Sequence, residues 1–199
     1  MQITHSMLFK LFTSVVIGLS LVACTPSLDW RTVRSDDLLY EALYPGKPSR
    51  AEKAVMFNGQ KLTMTMEASR VNDTLFAVGV INIPATAKGI DLKALKDFLQ
   101  NGMLSNLKTD HAVMPITISV KTAGQPSYDL PAQEWVIQGL GPDGQQRLLR
   151  FRVVQRNLPD GQIQIYQQSI LQSLKNNLAI EKILRSDEHE MFFTGFKPY

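Results

Sequence analysis

Cys24 is the only cysteine in this 199-residue chain, and it stands directly after an apolar run. Its thiolate is the strongest nucleophile among the side chains, so this is where covalent modification is expected first. A second nucleophile pattern is Ser105-Asn106-Leu107-Lys108, the spacing at which a lysine amine can activate a serine hydroxyl. Gly139-Leu140-Gly141-Pro142-Asp143-Gly144 has the G-x-G-x-x-G spacing that brings backbone N–H groups to a pyrophosphate. His111 and His189 are the only histidines after residue 24, and they form no paired-ligand spacing for zinc. Arg147, Arg150, Arg152 and Arg156 lie close together, three of them on one parity of a strand. Such a row could meet anionic headgroups or an acidic partner.

Context weakens most of these patterns. Ser105 falls at the end of a helical pattern, and neither an S-D-N nor a K-T-G accompanies it, only Lys121-Thr122-Ala123-Gly124. A serine hydrolase using Ser105 and Lys108 therefore stands as the alternative reading. The glycine motif needs a helix to begin inside the loop, whereas Leu149, Phe151 and Val153 alternate with arginines as in a strand. Pro142-Asp143-Gly144 is better read as a hairpin turn. The acids of Asp187-Glu188-His189-Glu190 suit the positive end of a helix dipole, which makes His189 a surface residue by expectation. For the arginines the plainer reading is the solvated side of a half-exposed strand. Met56, Met64 and Met66 could line an adaptable apolar groove, though core filling is simpler. No cofactor and no metal is expected.

Composition sets the frame. A hydrophobic share of 44% in 199 residues fits one domain with a real core. A lone cysteine permits no internal disulfide, so packing must hold the fold. Lys10 is the only basic residue before Cys24, which leaves twenty basic against eighteen acidic residues from there on. That excess is too small to argue for nucleic acid.

Residues 1–23 have the form of a secretory leader: Lys10, the apolar stretch Leu11 to Val22, then small Ala23. Met7 precedes a more compact version and is an alternative start. The apolar stretch is shorter than the roughly 20 residues that span a bilayer. Leu21-Val22-Ala23-Cys24 resembles the lipobox of bacterial lipoproteins. That resemblance, confined to the first 24 residues, implies lipid on the Cys24 sulfur, cleavage between Ala23 and Cys24, N-acylation, and several acyl chains as the membrane anchor. Thr25 after the anchor, by analogy with enterobacterial sorting, favours the outer over the inner membrane. The ordinary alternative is a cleavable signal ending near Ala23.

The rest is expected to form a short tether, 24–29, and a single domain, 30–199. Trp30 to Arg34 and Leu38 to Tyr44 read as strands, so the domain sits close to its membrane. Lys61 to Val71 alternates as a half-buried strand, with Lys61, Thr63, Thr65, Glu67 and Ser69 outward. Asn72-Asp73 reads as a turn, and Phe76 to Ile83 as a strand covered on two faces. Leu92, Leu95, Phe98, Leu99, Met103 and Leu107 recur at helical spacing behind Asp91, a fitting cap. Strand periodicity returns four times between Ile116 and Ile165. Leu171 to Arg185 is ambiguous between helix and turn. Asp187 and Glu190 match a capping box for a final helix.

The order strands, helix, strands, helix predicts an α+β fold: an antiparallel sheet of two meanders with a central amphipathic helix and a C-terminal helix packed on it. The strand ending in Tyr44-Pro45-Gly46-Lys47-Pro48, the two meanders around a helix, and the terminal Phe192-Phe193-Thr194-Gly195-Phe196-Lys197 resemble PsbP-like α/β sandwich proteins over about residues 30–197. That resemblance implies an accessory or binding role without shared catalytic residues. The expected function is a non-enzymatic cell-envelope lipoprotein, held in the membrane by acylated Cys24 and facing the periplasm, that binds a protein or small-ligand partner. A lipid or hydrophobe carrier is a further alternative.

Overall fold

The computed structural model describes residues 28–109, 114–174 and 180–199. The leader, Ala23 and Cys24, His111 and the 175–179 part of the ambiguous stretch lie outside them. Among the described residues strands account for 52% and helices for 16%, which corrects the α+β expectation. The protein is a β-rich sandwich of two antiparallel sheets.

The large sheet holds seven strands: β3 (Ser49–Phe57), β4 (Gln60–Val71), β5 (Thr74–Ile83), β6 (Ile116–Lys121), β7 (Asp129–Leu140), β8 (Gln146–Asn157) and β9 (Ile163–Ser173). Their spatial order is β3-β4-β5-β9-β8-β7-β6. Two-residue turns set the first registers. Asn58 and Gly59 both take positive φ between the paired Phe57 and Gln60, and Asn72 does so between Val71 and Thr74. Asparagine and glycine tolerate that conformation, whose twist matches the flanking strands.

The small sheet is β1 (Arg31–Ser35), β2 (Tyr40–Tyr44) and β10 (Lys197–Pro198), in the order β1-β2-β10. Here lies the physical reason for the correction. Alternation at Trp30–Arg34 and Leu38–Tyr44 signals strands but says nothing of which sheet they join. They pair with each other and with the chain's last residues, forming a second layer instead of extending the main sheet.

The two faces of the large sheet are covered differently. On one lies α1 (Leu92–Leu104), whose N-cap Asp91 accepts from the backbone of Lys93 and Ala94. Its Leu95 and Leu99 pack on Met64, Ile81, Trp135, Phe151 and Ile165. This helix is an outer cover of thirteen residues. On the other face sit the small sheet, α2 (Ile180–Leu184) and α3 (Asp187–Thr194). Tyr40, Tyr44, Phe192, Phe193 and Phe196 meet Phe76, Val78, Tyr166 and Ile170 there. Ser186, not Asp187, is the N-cap of α3, and its side chain makes no capping bond.

This second layer also overturns the outward side of β4. Thr65, Glu67 and Ser69 are buried beneath the small sheet. Ser35 Oγ donates to Glu67 Oε1 at 3.0 Å and the Tyr40 hydroxyl donates to Oε2, while the Tyr44 hydroxyl donates to the Glu67 carbonyl at 3.2 Å. A buried carboxylate is tolerable only with such donors around it.

Candidate functional site

A cleft of about 380 Å³ opens where the β4–β5 turn, the end of β9 and the α2–α3 junction converge. Leu28, Val71, Phe76, Leu174 and Ile183 supply an apolar wall. Asp73, Gln172, Lys182, Glu188 and His189 bring polar groups to it. A mainly apolar cavity of this size with a few convergent polar groups is what small-ligand sites look like. Sequence and local structure explain its shape. The tight Asn72-Asp73 turn closes the β4–β5 hairpin level with the end of β9, and α2 and α3 bring Lys182, Ile183, Ser186, Glu188 and His189 to the same place. Leu28 contributes because the chain is held from its next residue onward, where the Asp29 N–H donates to the Pro45 carbonyl at 3.0 Å.

His189 forms part of the wall and is 2% exposed. The expectation of a surface histidine is thereby corrected: its helix is laid on the sheet, and its ring is turned inward. Nε2 lies 3.1 Å from Gln172 Oε1. Burial, helped by the neighbouring Arg150, pushes its pKa down to about 4.

Next to the cleft lies an internal ion cluster. Arg150 Nη2 is 3.1 Å from Glu134 Oε1, and Arg152 Nε donates to Oε2 of the same carboxylate. The three side chains are only 12%, 13% and 5% exposed, in the order Arg150, Arg152, Glu134. Both guanidinium groups stack on the Phe193 ring, at 4.2 and 4.5 Å from its centroid. Arg150 also donates to the Leu184 carbonyl at 3.4 Å.

The other two arginines lie apart from this cluster. Arg147 pairs with Asp143 at 2.6 Å across the β7–β8 turn, and Arg156 donates to the Tyr199 carbonyl. Geometry therefore gives neither a solvated row nor a shared anionic contact surface. It gives one buried cluster, made of Arg150 and Arg152 with Glu134, and two separate ties, Arg147 to the turn beside it and Arg156 to the C-terminal Tyr199. Sequence reading missed Glu134, although counting outward from the Gly141–Gln145 turn places it opposite Arg152.

The remaining patterns do not assemble into sites. Ser105 caps the end of α1, and its Oγ donates to the Gly102 carbonyl at 2.9 Å. Lys108 makes a backbone bridge to Leu140. Among the described residues no hydrogen bond joins Ser105 to Lys108. Gly139 to Gly144 form the end of β7 and its turn, with Gly144 at φ +73 and its N–H donating to Gly141. Gly139 is needed for another reason, since a Cβ there would lie 2.4 Å from the Lys108 carbonyl oxygen.

Met64 is core, whereas Met56 is 59% exposed on the opposite face of the β3–β4 pair. The three methionines do not share a groove. A second, more open cavity of about 340 Å³ carries Arg34, Lys121 and Lys197, but these pair with Asp36, Asp129 and Glu41. Among the described residues no group of three or more His, Cys, Asp or Glu side chains is placed to hold a metal ion. No helix among them is long and apolar enough to cross a membrane.

No protein-family model matches the chain, and no curated protein matches it.

Proposed function

We propose that this chain is a non-enzymatic lipoprotein of the bacterial cell envelope, held in the membrane through acylated Cys24, periplasm-facing and preferentially in the outer membrane. Its domain binds a small, largely apolar ligand in the cleft under α2 and α3, in an accessory role like the one the PsbP-like resemblance implies. One observation carries this reading. The cleft is lined by Leu28, four residues after Cys24, so this part of its wall lies within about 14 Å of the anchor at full chain extension. An apolar-walled cavity stationed there meets molecules that reside in or leave the lipid surface. Support for a binding rather than a catalytic role comes from Ser105, whose hydroxyl is given to the end of its own helix.

Native mass spectrometry of the lipidated chain, released from lipid nanodiscs, tests the proposal. Leu174→Trp and Ser186→Trp would each fill the cleft from its lining. The expected result is a non-covalent adduct of small-molecule mass on the unsubstituted protein that is lost in both variants, with circular dichroism unchanged. A bare unsubstituted protein, or an adduct retained in both filled variants, would sink it.

A further inference from the structure

His189 is the point at which the cleft, the ion cluster and the end of the sheet meet. Its ring forms part of the cleft wall, and Nε2 faces Gln172 Oε1 on β9. An amide oxygen only accepts, so Nε2 must carry the hydrogen in this arrangement. The ring is then neutral with a lone pair on Nδ1, and that atom is buried with no partner among the described residues. A proton added at Nδ1 would create a buried N–H that nothing accepts, on a ring that had become a cation. Either change alone is costly at an atom as buried as Nδ1.

The surrounding charges make the second change worse. From β8 the ring is faced by Arg150, with Arg152 beyond it. From β7 it is faced by Glu134, whose carboxylate both arginines already share. Lys182 reaches the same cleft from α2, and Asp73 from the β4–β5 turn. On its own helix stand Asp187, Glu188 and Glu190; Glu188 lines the cleft and, with Glu134, favours the charged ring, more weakly than burial and Arg150 oppose it. The buried cluster thus holds two guanidinium groups against one carboxylate before any proton arrives. Downstream of the ring on the same helix, Phe193 lies against both guanidinium groups. Whatever displaces His189 pulls on that contact too.

We propose that His189 is an acid-sensitive latch on the cleft: a proton taken up at Nδ1 leaves a buried cation with an unaccepted N–H in the wall, which frees α3 from the end of the sheet and opens the cleft. This is regulation of the ligand site argued above and rests on that reading for its consequence, release of the ligand on acidification. The movement itself does not depend on what the cleft holds.

The sign follows from the lowered pKa. The unfolded or released segment takes its proton near the ordinary 6.5, whereas the docked ring resists until about 4. Docking of α3 is at full strength above pH 6.5 and is lost progressively as pH falls towards 4. This difference weakens docking by roughly a hundredfold at pH 4.

Hydrogen exchange read by mass spectrometry, on the lipidated chain in nanodiscs from pH 7 to pH 4, measures that release. Protection factors corrected for intrinsic rates should fall by about this factor over 187–194, while β8 and β9 keep theirs. In His189→Gln, which keeps an N–H for Gln172 and cannot titrate, protection over 187–194 should stay flat. An equal fall in His189→Gln overturns the proposal. Should that variant not fold, the unsubstituted protein decides: a ¹⁵N-histidine titration giving His189 a pKa at or above 6.5 also overturns it, and one near 4 supports it. The readout needs no ligand, so a failed ligand search and a failed latch are separate outcomes.

Discussion

Arg152 reaches from β8 to donate an Nη1 hydrogen to the Phe193 carbonyl at 3.0 Å, while its guanidinium plane lies on the Phe193 ring. A cation is thus placed at the C-terminal end of α3, where the helix dipole is negative and carbonyls lack intrahelical partners. The chain's last helix is pinned to the sheet through charge and hydrogen bonding as well as through its apolar face.

Glu134 makes that arrangement tolerable, because it is the carboxylate that answers both buried arginines. Glu134→Gln should cost about 3–5 kcal/mol, the usual result of leaving buried charge uncompensated. Urea unfolding checks this through a lowered midpoint. A loss under 1 kcal/mol would mean that the cluster is open to water.

The hydroxyls around Glu67 make a second prediction. Tyr40→Phe removes a donor from a buried carboxylate and should destabilise by about 1–3 kcal/mol. Burial also holds the Tyr40, Tyr44 and Tyr166 phenols well above their ordinary value. Raised pKa values mean that the contribution of these phenols is complete below pH 10 and falls as pH rises beyond it, because only the unfolded chain ionises there. Tyrosinate absorbance for these residues should therefore appear together with loss of the circular dichroism signal, and not before it.

At Gly139 the backbone of β7 passes so close to Lys108 that no side chain fits. Gly139→Ala should cost about 1–3 kcal/mol by overpacking and should loosen the bridge between Lys108 and Leu140. Thermal unfolding and exchange of the Lys108 amide report on this. An unchanged midpoint would contradict the close approach.

A fluorophosphonate or β-lactam probe should leave Ser105 unlabelled, and Ser105→Ala and Lys108→Ala should not alter ligand occupancy of the cleft. Labelling at Ser105 would reinstate a hydrolase.

Where local chemistry decides structure, residues revealed it. Asp91 and the leucines behind it specify α1, and the Asn72-Asp73 pair specifies a tight turn, because both depend on neighbours in the chain. Where a distant segment decides, they did not. Thr65, Glu67 and Ser69 look like a solvent face until the small sheet covers them, with Ser35 and Tyr40 reaching Glu67 from 32 and 27 residues away. Arg150 and Arg152 look exposed for the same reason, since the helix that buries them arrives some forty residues later. The acidic neighbours of His189 suit a helix start and stand in the first turn of α3, but they carry no information on which side of it is buried. Which side of that helix meets the sheet is settled by Phe192 and Phe193.

We propose that Cys24 stations this cleft at a membrane, and intact-mass and N-terminal peptide analysis of the protein from its native membrane decides it. The expected chain begins at Cys24 and carries diacylglyceryl and N-acyl mass, with Cys24→Ala unprocessed at that site and without lipid. A mature chain with a free Cys24 thiol, or a Cys24→Ala protein carrying the same lipid mass, would contradict it.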